Sequence, residues 1–167
     1  MDTPHRARKG GLYKSLIIDI DDWQISNECF ATLERLWGRH TVDCFANYHN
    51  TKISKYFSRF WNPGASGVDF FVQTLKGENC LVVPLVDLLV RALNYLNICE
   101  ATATIVVPFW PSSQFWPLLT GKYVRFITGY RFFNGRNALK LGQNTNSLLG
   151  SERFFGDILA IRLEFND

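Results

Sequence analysis

The sequence predicts a single α/β domain in which a mainly parallel sheet is covered by helices on both faces. Continuous apolar runs such as CLVVPL and ATATIVVPFW are typical of strands that are buried on both sides. Segments with apolar residues at three- and four-residue spacing separate these runs and indicate helices. Strands that alternate with helices predict a mainly parallel sheet, which the C-terminal strands can join in the antiparallel direction.

The length and composition agree with one folded unit. The chain has 167 residues, of which 47% are hydrophobic, and this is enough for one hydrophobic core. We assign residues 1–25 to a basic tail and linker, with most of the charge between His5 and Lys9, and residues 26–167 to the domain. No internal repeat or linker divides the second part.

The first half of the domain begins with a helix and a strand. The segment SNECFATLERLWG predicts a helix with Ser26 as its N-cap and Gly38 as its terminator. A strand over Thr41–Ala46 follows, and after a polar loop the aromatic run KYFSRFW is expected to pair with the sheet or pack against it.

The middle of the chain supplies the central strands. Asp69 is placed to cap a short helix that ends near Leu75, and CLVVPL then forms a buried strand. The apolar spacing over Val86–Ile98 predicts a second helix, with Asp87 available to cap it. The β-branched run ATATIVVPFW predicts the next strand.

The last third is less regular. We expect a helix that opens at Ser112 or Ser113, a strand over YVRFIT and a final strand over FGDILAIRLEF. The intervening region from Gly129 to Gly150 is rich in Asn and Gly and has weak periodicity, which predicts a long connection.

Charge and cysteine usage narrow the functional classes. The formal net charge is +3, which neither requires nor excludes a nucleic-acid partner. The four cysteines are widely spaced, with no CxxC pair and no histidine at metal-ligand spacing, so we expect no metal site. No apolar run is long enough for a signal peptide or a membrane span. These features predict an intracellular protein of the nucleus or cytoplasm.

The polar loop after the first strand allows two interpretations. In parallel sheets ligands bind beyond the carboxyl ends of the strands, where this loop offers Asp43, Asn47, Asn50 and Lys52. The acid and the amides can bind a cofactor with the help of the lysine. Alternatively, Asn47 and Asn50 satisfy the backbone of their own turn and Asp43 pairs with a base such as Arg39.

The loop PFWPSSQFW is the most unusual in composition. Phe109 and Trp110, with Phe115 and Trp116, can form a platform on which nucleobases stack, or they can fill the end of the core. We expect Trp116 to point inward and Trp110 to be more exposed. Known catalytic motifs such as GxGxxG, GxSxG and HExxH do not occur.

Four segments together resemble the C-terminal part of DIRS-type retroelement polyproteins. They are VDCFANYHNTKISKYFSRFW, GVDFF, CLVVPLVDLL and IVVPFWPSSQFWPLL, and the resemblance covers most of Asp22–Leu119. That region follows reverse transcriptase and ribonuclease H and is similar to phage-type DNA N-6-adenine methyltransferases. The chain carries the residues of the first motif block, which are Asp43, Cys44, Ala46, Asn50, Lys52, Tyr56 and Phe57.

The resemblance implies a Rossmann-like, methyltransferase-like fold and a pocket for S-adenosylmethionine formed by Asp43, Asn47, Asn50 and Lys52. Where the family has Asn-Pro-Pro-Tyr, however, this chain has Val82, Val83, Pro84 and Leu85. In the family the asparagine accepts hydrogen bonds from the target amine and the aromatic ring stacks on the flipped base. We therefore expect methyl transfer, and with it cofactor binding, to be lost.

The remaining function implied by the resemblance is a contact with DNA or with other parts of the polyprotein. Phe109, Trp110 and Lys52 are the candidate nucleic-acid contacts. The alternative is an active S-adenosylmethionine-dependent adenine methyltransferase that uses a relaxed motif.

Overall fold

A computed structural model describes residues 23–141 and 156–166 and confirms a mixed α/β fold. Residues 1–22 of the predicted tail, and the last part of the predicted connection, lie outside these residues. In chain order the strands are β1 (Trp23–Ile25), β2 (Val42–Asp43), β3 (Phe57–Ser58), β4 (Gly67–Val68), β5 (Asn79–Val82), β6 (Thr102–Pro108), β7 (Ile127–Asn134), β8 (Leu139–Leu141) and β9 (Asp157–Glu164). The α-helices are α1 (Asn27–Trp37), α2 (Leu89–Ile98) and α3 (Gly135–Ala138).

The principal sheet has five strands in the order β2, β5, β6, β9, β7. The pairs β2–β5 and β5–β6 are parallel, whereas β9 runs antiparallel to both β6 and β7. The C-terminal strands join in the antiparallel direction, as the prediction allowed, but with two parallel and two antiparallel pairs the sheet is not mainly parallel. The sheet is mixed.

Two short ribbons accompany this sheet. Strands β3 and β4 pair in parallel, and Tyr56 forms a parallel bridge with Asp43, which attaches this ribbon to the outer edge of β2. The amides of Asp43 and Ala46 donate to the carbonyls of Lys55 and Phe57, at 3.0 and 3.1 Å. The second ribbon joins β1 to β8 in antiparallel register.

Helix α1 begins and ends where the sequence predicts. The Ser26 hydroxyl accepts from the Cys29 amide at 3.1 Å, and Gly38 ends the helix at φ 84°, a value that favours glycine. Cys29 and Leu33 are its buried side chains, while Phe30 and Trp37 are half-buried.

The sheet separates two hydrophobic clusters because successive side chains of a strand point to opposite faces. One face packs against α2 through Leu89, Ala92, Leu93 and Leu96, together with strand residues such as Cys80, Val82, Ile105, Val107 and Leu159. The opposite face packs against α1 and the β1–β8 ribbon through residues such as Leu33, Leu81, Val106, Ile158 and Ala160. Strand β6 contributes to both clusters, so it lies at the centre of the core.

Several connecting segments differ from the predictions. Asp69 caps only a 3₁₀ turn over Phe70–Val72, and α2 begins at Leu89 without a side-chain cap, so Asp87 does not have the predicted role. The segment after Pro111 forms turns and a π-helical turn over Leu118–Lys122 rather than an α-helix that opens at a serine. Strand β7 occupies much of the predicted connection, because pairing with β9 outweighs its weak local pattern.

A buried polar network lies at the amino end of β5 and β6. The His40 ring contacts Glu34 Oε2 through Nδ1 at 2.6 Å and Thr104 Oγ1 through Nε2 at 2.7 Å. Arg162 Nη1 donates to Thr104 Oγ1 at 3.1 Å and to Asn79 Oδ1 at 2.6 Å. Since Thr104 accepts from Arg162, its single proton is available for Nε2, which suits a neutral His40 that donates from Nδ1 to Glu34.

We predict that this network makes stability depend on pH through His40. Burial, and to a smaller extent Arg162, lowers the pKa of His40 below its usual value, although Glu34 opposes the shift. The unfolded chain therefore takes up the proton first, and the contribution of His40 to stability is lost as the pH drops below about 6.5. Urea unfolding of the wild type and of His40→Asn at pH about 7.5 and about 5 measures this loss as the difference between their pH dependences.

The matched control for this measurement is His49→Asn, because His49 lies outside the network. Its free energy of unfolding should change between the two pH values by as much as that of the wild-type chain. An identical pH dependence of the wild type and His40→Asn would show that His40 does not titrate on unfolding.

Candidate functional site

A pocket lies at the carboxyl ends of the parallel strands β2 and β5. The pocket is small, with a cavity volume of about 10 Å³, and eight residues line it: Gln24, Ile25, Asp43, Phe45, Asn50, Lys52, Leu81 and Val83. The pairing of Asp43 with Leu81 brings the ends of the two strands together, and the loop after β2 closes the pocket. Of the four residues predicted to bind a cofactor, Asp43, Asn50 and Lys52 line this pocket and Asn47 does not.

Asp43 is the buried acid of the pocket. Only 4% of the residue is exposed, and its Oδ2 accepts from the Lys52 backbone amide at 2.9 Å. Burial raises the pKa of Asp43 to about 7, although the amides of Lys52 and Phe45 and the charge of Lys52 act in the opposite direction. Near neutral pH the carboxyl group therefore exists in both protonation states. The predicted alternative partner, Arg39, makes no ion pair with Asp43 in the described part of the chain.

Lys52 spans the mouth of the pocket. Its Nζ donates to Asn27 Oδ1 at 3.0 Å and to Gln24 Oε1 at 3.3 Å, which ties the loop to the first turn of α1 and to β1. Desolvation lowers the pKa of Lys52, and the nearby charge of Lys140 adds to this effect. The ammonium group thus supplies positive charge next to the pocket, and two of its hydrogen bonds are already made to Gln24 and Asn27.

The two asparagines serve the turn. Asn47 Oδ1 accepts from the amides of His49 and Asn50 at 2.8 and 3.0 Å, and Asn50 Oδ1 accepts from the Asn47 amide at 2.7 Å. Their side-chain oxygens are therefore engaged with the local backbone. The turn interpretation is confirmed for Asn47, whereas Asn50 both completes the turn and lines the pocket.

The end of strand β5 offers the pocket no polar side chain. Leu81 and Val83 line the wall, Val82 is fully buried on the other face, and Pro84 follows as a buried residue. Leu85 is half-buried and precedes a 3₁₀ turn over Val86–Leu88. The pocket is consequently polar along the β2 loop and apolar along β5.

The aromatic loop after β6 is arranged differently from the prediction. Phe115 is the fully buried ring, while Trp110 and Trp116 are both half-buried, so Trp110 is not the exposed member. The exposed ring is Phe109, which contacts Trp116 and Phe132 with centroid distances of 5.3 and 5.2 Å. Trp110 packs against both hydrophobic clusters because it follows the central strand.

Sequence reasoning missed one polar residue of the pocket and two of the exposed aromatic residues. Gln24 was assigned to the linker, yet it lies on β1 and accepts a hydrogen bond from Lys52. The short alternation around Gln24 and Ile25 was a weak signal for a strand. Tyr130 and Phe132 were assigned to a connection, although alternation in TGYRFF could have indicated β7.

Comparison with known proteins finds no family model that matches the chain and no significant match to a curated protein. The resemblance to DIRS-type polyproteins therefore stays a prediction. Within residues 23–141 and 156–166, no group of three or more His, Cys, Asp and Glu side chains is placed to hold a metal ion. None of the helices described is long and apolar enough to cross a membrane.

We predict that Asp43→Asn stabilises the protein above neutral pH. The pKa of Asp43 is about 7 in the folded chain, whereas its ordinary value is 3.8, so the fold favours the protonated carboxyl group. The stability that this group contributes is therefore complete below pH 3.8 and is lost as the pH rises through 7. An asparagine keeps an oxygen that can accept from the Lys52 amide but carries no charge. At pH about 8 its free energy of unfolding should exceed that of the wild type by up to about 4 kcal/mol.

Chemical unfolding at pH about 4 and about 8 measures this difference, which should be small at the lower pH. Asp69→Asn is the control, because Asp69 is an exposed acid that caps a turn outside the pocket. A variant that is less stable than the wild type at both pH values would contradict the assignment of Asp43 as a destabilising buried charge.

Proposed function

We propose that this chain is a methyltransferase-like domain of a DIRS-type retroelement polyprotein that no longer transfers methyl groups and serves as a nucleic-acid contact module. The single observation that carries the loss of methyl transfer is the apolar end of β5, at the rim of the pocket. The contact function is supported by the distribution of charge and aromatic rings in the second half of the chain.

The strand order supports a Rossmann-like sheet. If the bridge between Tyr56 and Asp43 is counted, the order from the outer edge inward is β4, β3, β2, β5, β6, and all five strands are parallel. This is the 3-2-1-4-5 order of a doubly wound sheet, whose ligand site lies where the order reverses. The pocket between β2 and β5 occupies that position. The reversed strand β9 departs from an all-parallel sheet.

Methyl transfer to an adenine amine requires an acceptor for its protons and a surface on which the flipped base stacks. Val82, Val83, Pro84 and Leu85 provide neither, since they carry no polar atom in their side chains and no aromatic ring. Loss of one well-placed group that stabilises a transition state costs about 3–4 kcal/mol, a factor of hundreds in rate. Here the side chains provide neither the acceptor for the amine protons nor the stacking surface.

The residues of the pocket do not fit S-adenosylmethionine well. Its cavity volume of about 10 Å³ has room for about one water molecule, far below the range of about 300–1,000 Å³ typical of pockets for ligands of this size. The side-chain oxygens of Asn47 and Asn50 bind the turn, and Lys52 binds Gln24 and Asn27. Asp43 retains accepting capacity, but it is buried beneath the loop.

One segment in the second half of the chain carries charge of one sign. From Ala101 to Leu141 there is no Asp or Glu, whereas five basic residues occur in that segment: Lys122, Arg125, Arg131, Arg136 and Lys140. The net charge of the whole chain is only +3, so this concentration is local. A basic surface with interleaved aromatic side chains is the footprint expected of nucleic-acid binding.

We predict that the chain does not methylate DNA. Incubation with labelled S-adenosylmethionine and adenine-containing DNA should give no transfer above background, and titration calorimetry with the cofactor should give no binding heat. Transfer that Asp43→Ala abolishes, and that the control Asp69→Ala leaves intact, would establish the alternative of an active enzyme with a relaxed motif.

We also predict binding to nucleic acid that weakens with salt. Fluorescence anisotropy with a labelled oligonucleotide should give an affinity that falls with a slope of about −0.7 per phosphate neutralised on a single strand. Replacing Lys122, Arg125 and Arg131 by glutamine should weaken binding and reduce the slope by about 2 if all three contact phosphates.

The matched control replaces Arg35, Arg39 and Lys76 by glutamine, which removes the same charge from exposed positions outside the acid-free segment. Equal losses of affinity in the two triple variants would mean that binding depends only on the total charge of the chain. Undetectable binding even at low salt would refute the contact function.

A further inference from the structure

Four aromatic side chains form a continuous row along the end of β6 and the edge strand β7. In spatial order they are Trp116, Phe109, Phe132 and Tyr130, and successive ring centroids lie 5.3, 5.2 and 6.0 Å apart. Neighbouring rings meet at 71–88°, so they touch edge to face. We call these four residues the aromatic row.

The row is exposed although it is apolar. Phe109, Phe132 and Tyr130 have exposed fractions of 37, 45 and 67%, whereas Trp116 is half-buried and anchors the row to the core. Single exposed rings are ordinary on protein surfaces, but a contiguous series marks a binding surface. The edge-to-face contacts occupy only part of each ring, which leaves ring surface accessible.

The fold explains why these rings are not buried. Tyr130 and Phe132 pair with Ile161 and Leu159 of β9 and therefore point to the face of the sheet that α2 covers. Helix α2 packs over β5 and β6, and β7 lies two strands further along the sheet. The described elements thus leave this end of the face open.

The segment of the chain that carries the row favours a polyanion as its ligand. Phe109, Trp116, Tyr130 and Phe132 all belong to the segment without acidic residues, in which Arg131 separates Tyr130 from Phe132 in sequence but projects from the other face of β7. The guanidinium of Arg131 lies 5.6 Å from the Phe133 centroid, on the opposite face of the same edge strand. Two acids of β9 lie near the edge strand: the carbonyl of Asp157 accepts from the Phe109 amide and Asp157 pairs with Asn134, and Glu164 Oε2 accepts from Thr128 Oγ1 at 2.9 Å.

We infer that the aromatic row binds single-stranded nucleic acid, with unpaired bases stacked on Phe109, Phe132 and Tyr130 and phosphates attracted by the basic segment. This inference rests on the proposed contact function and names the ligand and the surface. The ligand is single-stranded because the faces of paired bases are covered by their neighbours within a duplex. Base–aromatic stacking depends little on sequence, so the expected specificity is low.

The experiment measures anisotropy of the full chain with a labelled oligothymidine of about 20 nucleotides and with a duplex of equal length. The single strand should bind more tightly. Phe132→Ala and Tyr130→Ala should each weaken single-strand binding by about 5- to 150-fold, which corresponds to the range measured for one stacked base. Tyr130→Phe keeps the ring and should bind like the wild type.

Two controls separate stacking from other effects. Trp61→Ala removes a ring with 72% exposure at the opposite end of the sheet and should leave the affinity unchanged. Asp157→Asn removes the acid beside the row and should strengthen binding. Thermal unfolding of each variant verifies that the fold persists, as expected for substitutions at exposed positions.

The outcomes distinguish this inference from the proposed function. If salt-dependent binding persists after both ring substitutions, the aromatic row is not the binding surface and the proposed contact function resides elsewhere on the chain. A chain without any salt-dependent binding would overturn both. If the ring substitutions change the oligomeric state in solution but not the affinity for DNA, the row is a protein interface and the inference is wrong.

Discussion

The position of strand β6 is the constraint on which the rest of the structure depends. It pairs with β5 on one side and β9 on the other, and six of its seven residues are buried. Because its side chains enter both hydrophobic clusters, a helix or ribbon must cover each face. Its one buried hydroxyl group in the core, that of Thr104, needs polar partners, and it obtains them from His40 and Arg162. The same strand therefore supports the packing of α1, pairs with β9 and positions the aromatic loop that follows it.

Much of the fold could be predicted from local pattern. Ser26 and Gly38 delimit α1 because capping depends on neighbouring residues alone, and the buried strands β5 and β6 are visible as apolar runs. The direction of β9 could not be predicted, since a strand buried on both faces has the same pattern in either direction. Strand β7 was missed for a related reason. As an edge strand whose aromatic face is exposed, it lacks the continuous apolar run of β5 and β6, and its pairing with β9 defines it.

The candidate site was predictable to a similar extent. The rule that ligands bind beyond the carboxyl ends of parallel strands identified the loop after β2, and three of its four polar residues line the pocket. The roles of Asn47 and Asn50 were open to two interpretations, because the side-chain amide of asparagine can bind either the backbone of a turn or a ligand. Gln24 and Phe45 reach the pocket only through tertiary packing, so no spacing in the sequence indicates them.

The structure explains how the two ends of the pocket can differ in character. Asp43 accepts from the Lys52 amide, and its own amide donates to the Lys55 carbonyl, so the acid shapes the loop that returns to the edge of β2. Lys52 likewise joins that loop to β1 and α1. These residues therefore have structural roles that are independent of any cofactor. Under the function we propose, an asparagine at the end of β5 would have no such role once methyl transfer was lost, and this accounts for a polar β2 loop beside an apolar β5 end.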